Sequence, residues 1–178
     1  AIFSSGNPNL TTCIRSSLKP FQASASILLG ATEAAGFNRE EIALMCASHN
    51  GEEIHVNTAK SMAKKLNIKE SDYECGHHAP YAADARKKAR PTGFTVFHNN
   101  CSGKHSGMLA LAKKLGAETT NYISYNHPVQ KEIFQYLKRL MGKDKLPYGI
   151  DGCSAPSPFL SLREIAKLFQ IMGQDKFP

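Results

Sequence analysis

From Ser16 onward the apolar positions fall on a helical period: Leu18, Phe21, Ala25, Leu28 and Thr32 lie three or four residues apart, a spacing that lines one face of a helix. Pro20 falls in the first turn, where its missing N–H is not needed, so the pattern predicts a buried helix over 16–35. Asn38 with Glu41 predicts a capped start. The apolar run from Ile42 to Ala47 then ends in Ser48-His49-Asn50-Gly51, a polar loop straight after a buried segment. Ile54, Thr58, Met62 and Leu66 recur every four residues, and Ser71 with Glu74 repeats the capping pattern. Three more helices follow from Met108, Leu111 and Leu115 with Gly116 as their stop, from Val129, Ile133, Leu137 and Leu140 behind His127-Pro128, and from Leu162, Ile165, Phe169 and Met172. Strand signals are few. Gly6-Asn7-Pro8 between two short runs predicts a hairpin over 2–15, Phe94 to Phe97 reads as extended, and 149–153 reads as a turn ahead of Pro156 and Pro158. The expected class is α/β in the broad α+β sense, helix-rich, with no internal repeat and no linker.

The chain has 178 residues, 42% hydrophobic and 21% charged, which fits one folded domain and excludes disorder and fibrous repeats. The longest apolar run, Ala25 to Ala31, is interrupted by Ser26 and Gly30, far short of the ~20 residues of a membrane span. Lys plus Arg (22) exceed Asp plus Glu (15), but the basic residues are scattered over helical segments, so no nucleic acid and no membrane is expected as a partner. Five widely spaced cysteines without a C-x-x-C pair argue against a disulfide framework, and with no signal peptide they suit a cytoplasmic protein. The chain opens on Ala1 and ends on Pro178 behind a helical stretch, so both ends are read as cut.

Three groups of residues could carry chemistry. Ser16 and Lys19 are three apart, so a helix would put hydroxyl and amine on one face. A serine needs a base to act as a nucleophile, and a lysine serves only when burial or a nearby cation such as Arg15 keeps it neutral; a helix cap and a surface lysine would read the same way. Cys101-Ser102-Gly103-Lys104-His105, with Asp151-Gly152-Cys153, offers two thiols in polar loops, one at a helix start beside cations, where thiolates are favoured. Such thiols bind zinc or attack electrophiles, and buried inert cysteines are the alternative. The Walker pattern fails, with His at 98 and at 105. His49, His55, Cys75, His77 and His78 could form a zinc site, but their spacings match no finger or zincin, and capping or core hydrogen bonding reads as well.

Taken together, Arg15-Ser16-x-x-Lys19-Pro20, the run from Ala43 to His49, Cys75-Gly76-His77, the block from Asn100 to Met108, His127-Pro128-x-Gln130 and Asp151-Gly152-Cys153 resemble the L-asparaginase family typified by the inducible thermolabile enzyme of rhizobia. The resemblance runs in order from about Gly6 to Phe169. It implies a fold like that of serine β-lactamases and penicillin-binding proteins, with residues 1–178 as a single region forming the N-terminal half of a larger catalytic domain. It implies an amidohydrolase that converts L-asparagine to L-aspartate and ammonia through an acyl-enzyme. Ser16 would be the nucleophile, Lys19 its base and Ser48 the bridge between them, with Arg15, His105 and Asp151 lining the substrate pocket. It also implies zinc held by Cys101, Lys104 and Cys153 in a substrate-positioning role, and a homodimer is carried as an expectation. The rival readings are a zinc-binding structural or redox module without hydrolase activity, which leaves Ser16 and Lys19 unexplained, and a nucleic-acid binder, which lacks an aromatic or arginine-rich surface.

Overall fold

Leu44 and Gly103 set the centre of the molecule. In this computed structural model, which describes Phe3 and residues 5–174, α3 (Arg39–Cys46) and α6 (Ser102–Lys114) cross so closely that a Cβ on Gly103 would lie 2.4 Å from the Leu44 carbonyl oxygen. One on Gly107 would lie 2.5 Å from Met45 Cε. The two glycines, one turn apart, are what let α6 pass through the core. Residues 102–112 of α6 are all buried, polar ones included. Around this axis pack α1 (Lys19–Leu28), α2 (Ala31–Ala34), α4 (Glu53–Leu66) and α7 (Pro128–Met141). Two other helices, α5 (Ala83–Ala89) and α8 (Leu162–Met172), lie outside it, and α8 rests on α7 and on the sheet. No helix among the described residues is long and apolar enough to cross a membrane.

The sheet has three antiparallel strands, β1 (Thr11–Cys13), β2 (Tyr148–Ile150) and β3 (Pro156–Ser161), in the order β1-β3-β2. β3 carries two prolines, Pro156 and Pro158, in a stretch where sequence patterning set no strand. They are tolerated because the bonds to the β2 side fall at odd positions, Phe159 N–H to Pro147 and Asp151 N–H to Ala155, so that neither ring nitrogen is asked for a proton. The Pro158 carbonyl still accepts Ile14 N–H at 3.2 Å, which holds the start of the Ser16 segment against the sheet.

Several expected elements differ. The hairpin over 2–15 does not form within the described residues: β1 pairs with β3, with Thr11 opposite Ser161, and Ile2 lies outside them. The helix over 16–35 is a 3-10 turn (Arg15–Leu18), α1 and α2, broken where Gly30 takes a left-handed φ of 69°. Ile54 is exposed and Thr58 half-buried, and α4 buries Val56, Ala59, Met62, Ala63 and Leu66. The Ser71/Glu74 cap is absent: Lys69 N–H donates to Asp72, and Glu74 accepts Asn121 N–H. Val96–His98 is a 3-10 turn where a strand was expected. The Asn38/Glu41 capping box forms as expected, and the carboxylate of Glu41 reaches on to Lys65 at 2.6 Å and Ser61 at 2.8 Å.

Candidate active site

Lys19 is 1% exposed, at the first position of α1. The apolar face of the helix that follows pulls it inward, and its long stem delivers the amine between two loops. Nζ lies 2.8 Å from the Ala47 carbonyl oxygen, 3.1 Å from that of Asn100 and 2.8 Å from Ser48 Oγ. Burial pushes its pKa below the ordinary lysine range; the adjoining Cys101 opposes the shift and the Lys104 charge adds to it. A neutral amine has two N–H donors and one lone pair, which matches two carbonyls and one hydroxyl. In that form the lone pair faces the Ser48 O–H. Ser48 itself is exposed, so its oxygen meets both the amine and solvent.

The loop bearing Ala47 and Ser48 begins where α3 ends and is fixed at Gly51. There φ is +73°, and a Cβ would meet Pro80 at 2.9 Å. The opposite wall is the Asn99–Cys101 turn into α6. Asn99 Oδ1 accepts Cys101 N–H at 2.8 Å, and Asn100 N–H donates to His78 Nε2 at 3.0 Å.

Beyond that wall lie the two thiols. Cys101 and Cys153 are both buried: a hydrogen bond from the Cys101 thiol, with help from His105 and Lys104, pulls the pKa of Cys153 far down, and the same bond, with burial, pushes that of Cys101 up. Lys104 Nζ donates to Cys153 Sγ at 2.8 Å. His105 is fully buried, with Nδ1 2.7 Å from Tyr122 OH and the ring beside Cys153. Asp151 closes the ring, with Oδ2 3.9 Å from Cys153 Sγ and Oδ1 accepting Gly152 N–H at 2.7 Å and Arg15 Nε at 3.0 Å.

The structure therefore joins Ser48, Lys19, Cys101, Cys153, Lys104, His105, Asp151 and Arg15 in one connected set. Ser16 sits in the 3-10 turn between Arg15 and Lys19, exposed, and its hydroxyl bonds to no described residue. The residue before it, Arg15, has φ of 52°, an uncommon conformation for a side chain of that size. Its N–H donates to Ser157 Oγ at 3.0 Å.

The thiols of Cys101 and Cys153 and the amine of Lys104 are donor types that suit zinc. The histidine grouping does not. Cys75 is buried with its thiol pushed up to about 12 by desolvation, His77 is exposed, and His78 is spent on Ala79 and Asn100. Among the described residues no three His, Cys, Asp or Glu side chains are gathered as a metal set. Sequence patterning gave no role to the carbonyls of Ala47 and Asn100, because backbone acceptors leave no residue-type signal; nor did it single out Ser157 or Ser102.

A family model described as L-asparaginase II matches residues 1–177, essentially the whole chain. A comparison with curated proteins gives no match.

Proposed function

This chain belongs to the L-asparaginase II family, and on that footing we propose that it carries a serine-lysine amidohydrolase centre acting on L-asparagine. One observation carries the proposal: a buried amine, depressed by desolvation, one of whose partners is an accessible hydroxyl 2.8 Å away. Lys19 is the base. Ser16 Oγ attacks the side-chain amide carbon, and its proton passes through Ser48 to Lys19. Lys19 then protonates the departing nitrogen, which leaves as ammonia, and water hydrolyses the aspartyl ester by the same route in reverse. Arg15, with its side chain 67% exposed, suits the substrate carboxylate, and Asp151 suits its ammonium group.

A second reading makes Ser48 the nucleophile, and the direct Lys19–Ser48 contact favours it. Acid-quenched turnover of the complete gene product on L-asparagine, followed by peptide mass mapping, separates the two. Aspartyl mass on the peptide holding Ser16 supports the first reading, and on the peptide holding Ser48 the second. Hydrolysis with no covalent adduct on either, and full activity in both Ser16→Ala and Ser48→Ala, would rule out both.

Cys101, Lys104 and Cys153 would hold zinc, which when bound supplies positive charge to orient the substrate. A helix-rich body beside an antiparallel sheet, with the Ser-x-x-Lys segment entering the first long helix, supports a relation to the serine β-lactamase and penicillin-binding fold.

A further inference from the structure

His49 follows Ser48 directly, yet it is 3% exposed where Ser48 is open to solvent. Its ring is held from both sides. Nδ1 accepts the Gly51 N–H at 3.1 Å, and Nε2 lies 2.8 Å from Ser102 Oγ. A nitrogen that accepts from an amide carries no proton of its own, so the neutral ring must hold its hydrogen on Nε2 and donate it to Ser102. Ser102 is the first residue of α6 and is itself buried, its hydroxyl directed to the Phe97 carbonyl at 3.5 Å. The backbone N–H of His49 donates to the Asn100 carbonyl at 3.3 Å, the same oxygen that Lys19 Nζ contacts. A stacked imidazole, His55, covers the ring with centroids 5.2 Å apart. Burial, with the charges of His55 and Lys19, lowers the His49 pKa to about 3.

From this geometry we infer that His49 is a positioning residue for the Lys19–Ser48 pair, a clamp that ties the Ser48 loop to the start of α6 through Ser102. The loop carries two partners of Lys19, Ala47 O and Ser48 Oγ, and the α6 entry carries others, Asn100 O and the Cys101 thiol. These two walls are far apart in sequence, and His49 bonds to the α6 entry by side chain, through Ser102, and by backbone, through the Asn100 carbonyl, while its Nδ1 holds Gly51 of its own loop. His49 never touches the reacting atoms, and it stays neutral, so it serves as a fixed strut with one donor and one acceptor. Gly51 belongs to the same device, since its N–H is the donor to Nδ1.

The inference rests on the amidohydrolase reading, and the test keeps the two apart. In the complete gene product, His49→Ala should lower kcat on L-asparagine by about 10²-fold, the cost of misplacing a catalytic group by an ångström or so, with KM within about twofold. His49→Asn, whose Oδ1 can still accept the Gly51 N–H, should recover part of that loss. Ser102→Ala should lower kcat in the same sense, and its effect should largely vanish in the His49→Ala background, because one clamp cannot be broken twice. Should His49→Ala fail to fold, Ser102→Ala alone carries the kinetic test. The ring tautomer, read from 15N–1H correlation spectra at neutral pH, needs no activity: Nε2–H supports the clamp and Nδ1–H overturns it. A wild-type kcat in both His49→Ala and Ser102→Ala, or a change confined to KM, overturns it too. A wild-type protein that does not hydrolyse asparagine sinks the amidohydrolase reading, while the tautomer still decides whether the clamp exists.

Discussion

The side chain of Lys19 spans the gap between the N-terminal segment and the loop after α3, ending 2.8 Å from Ser48 Oγ, whereas Ser16, three residues before it in the chain, lies outside its hydrogen-bond set. A spacing argument pairs the lysine with the nearer serine in sequence. Folding pairs it with one from another element, because Lys19 turns into the core and Ser16 faces outward.

Close approach of α3 and α6 makes a ranked prediction. Gly103→Ala drives a methyl group into the Leu44 backbone, which has nowhere to move, while the methyl of Gly107→Ala meets the flexible end of Met45. Urea unfolding should show Gly103→Ala destabilised by about 3 kcal/mol or more and Gly107→Ala by about 1–2 kcal/mol, the usual range for an overpacked core. Equal losses would mean that the helix crossing is less rigid than drawn.

Glu41 predicts a pH dependence of stability. Burial works against its ionisation, yet Lys65, the Asn38 N–H and Ser61 outweigh it and hold the carboxyl below its ordinary pKa. A carboxylate depressed in the folded state contributes stability above its unfolded pKa, about 4.3, and that contribution is lost as pH falls through the folded value. Wild type should therefore exceed Glu41→Gln in stability at pH 7, with the gap closing below about pH 4. A gap that persists undiminished at pH 3 contradicts the ionic account.

Metal content follows from the thiol pair. Elemental analysis of the complete gene product should find zinc, and Cys101→Ser should lower its occupancy sharply, since one of two soft donors is gone. Chelation should chiefly raise KM for asparagine and leave turnover at saturation. Protein purified without zinc removes the ligand assignment, and loss of all turnover with the metal gives zinc the central part instead.

Much of the helical frame is legible in the sequence, because α7 and α8 carry apolar periodicity, α3 a capping box before an apolar run, and α6 a glycine stop. The failures have physical causes. Gly30 divides a continuous apolar pattern by backbone conformation alone, and α5 buries none of its residues, so it has no periodicity to read. β3 hides behind Pro156 and Pro158, whose suitability depends on which side of the strand is paired. Within the site, the charged and thiol residues are visible as residue types. Their neighbours are not: the carbonyls of Ala47 and Asn100 and the His49–Ser102 bond arise only when two loops distant in sequence meet.

The most direct test of the Lys19 base is ammonia release from L-asparagine by the complete gene product and its Lys19→Met variant, compared at saturating substrate. Methionine fills the lysine stem's space without an amine, so the account predicts a folded variant with turnover reduced by at least 10²-fold, the lower end of what a general base contributes. Retention of more than about a tenth of wild-type turnover would contradict it, because a base that can be removed at so little cost does not drive the reaction.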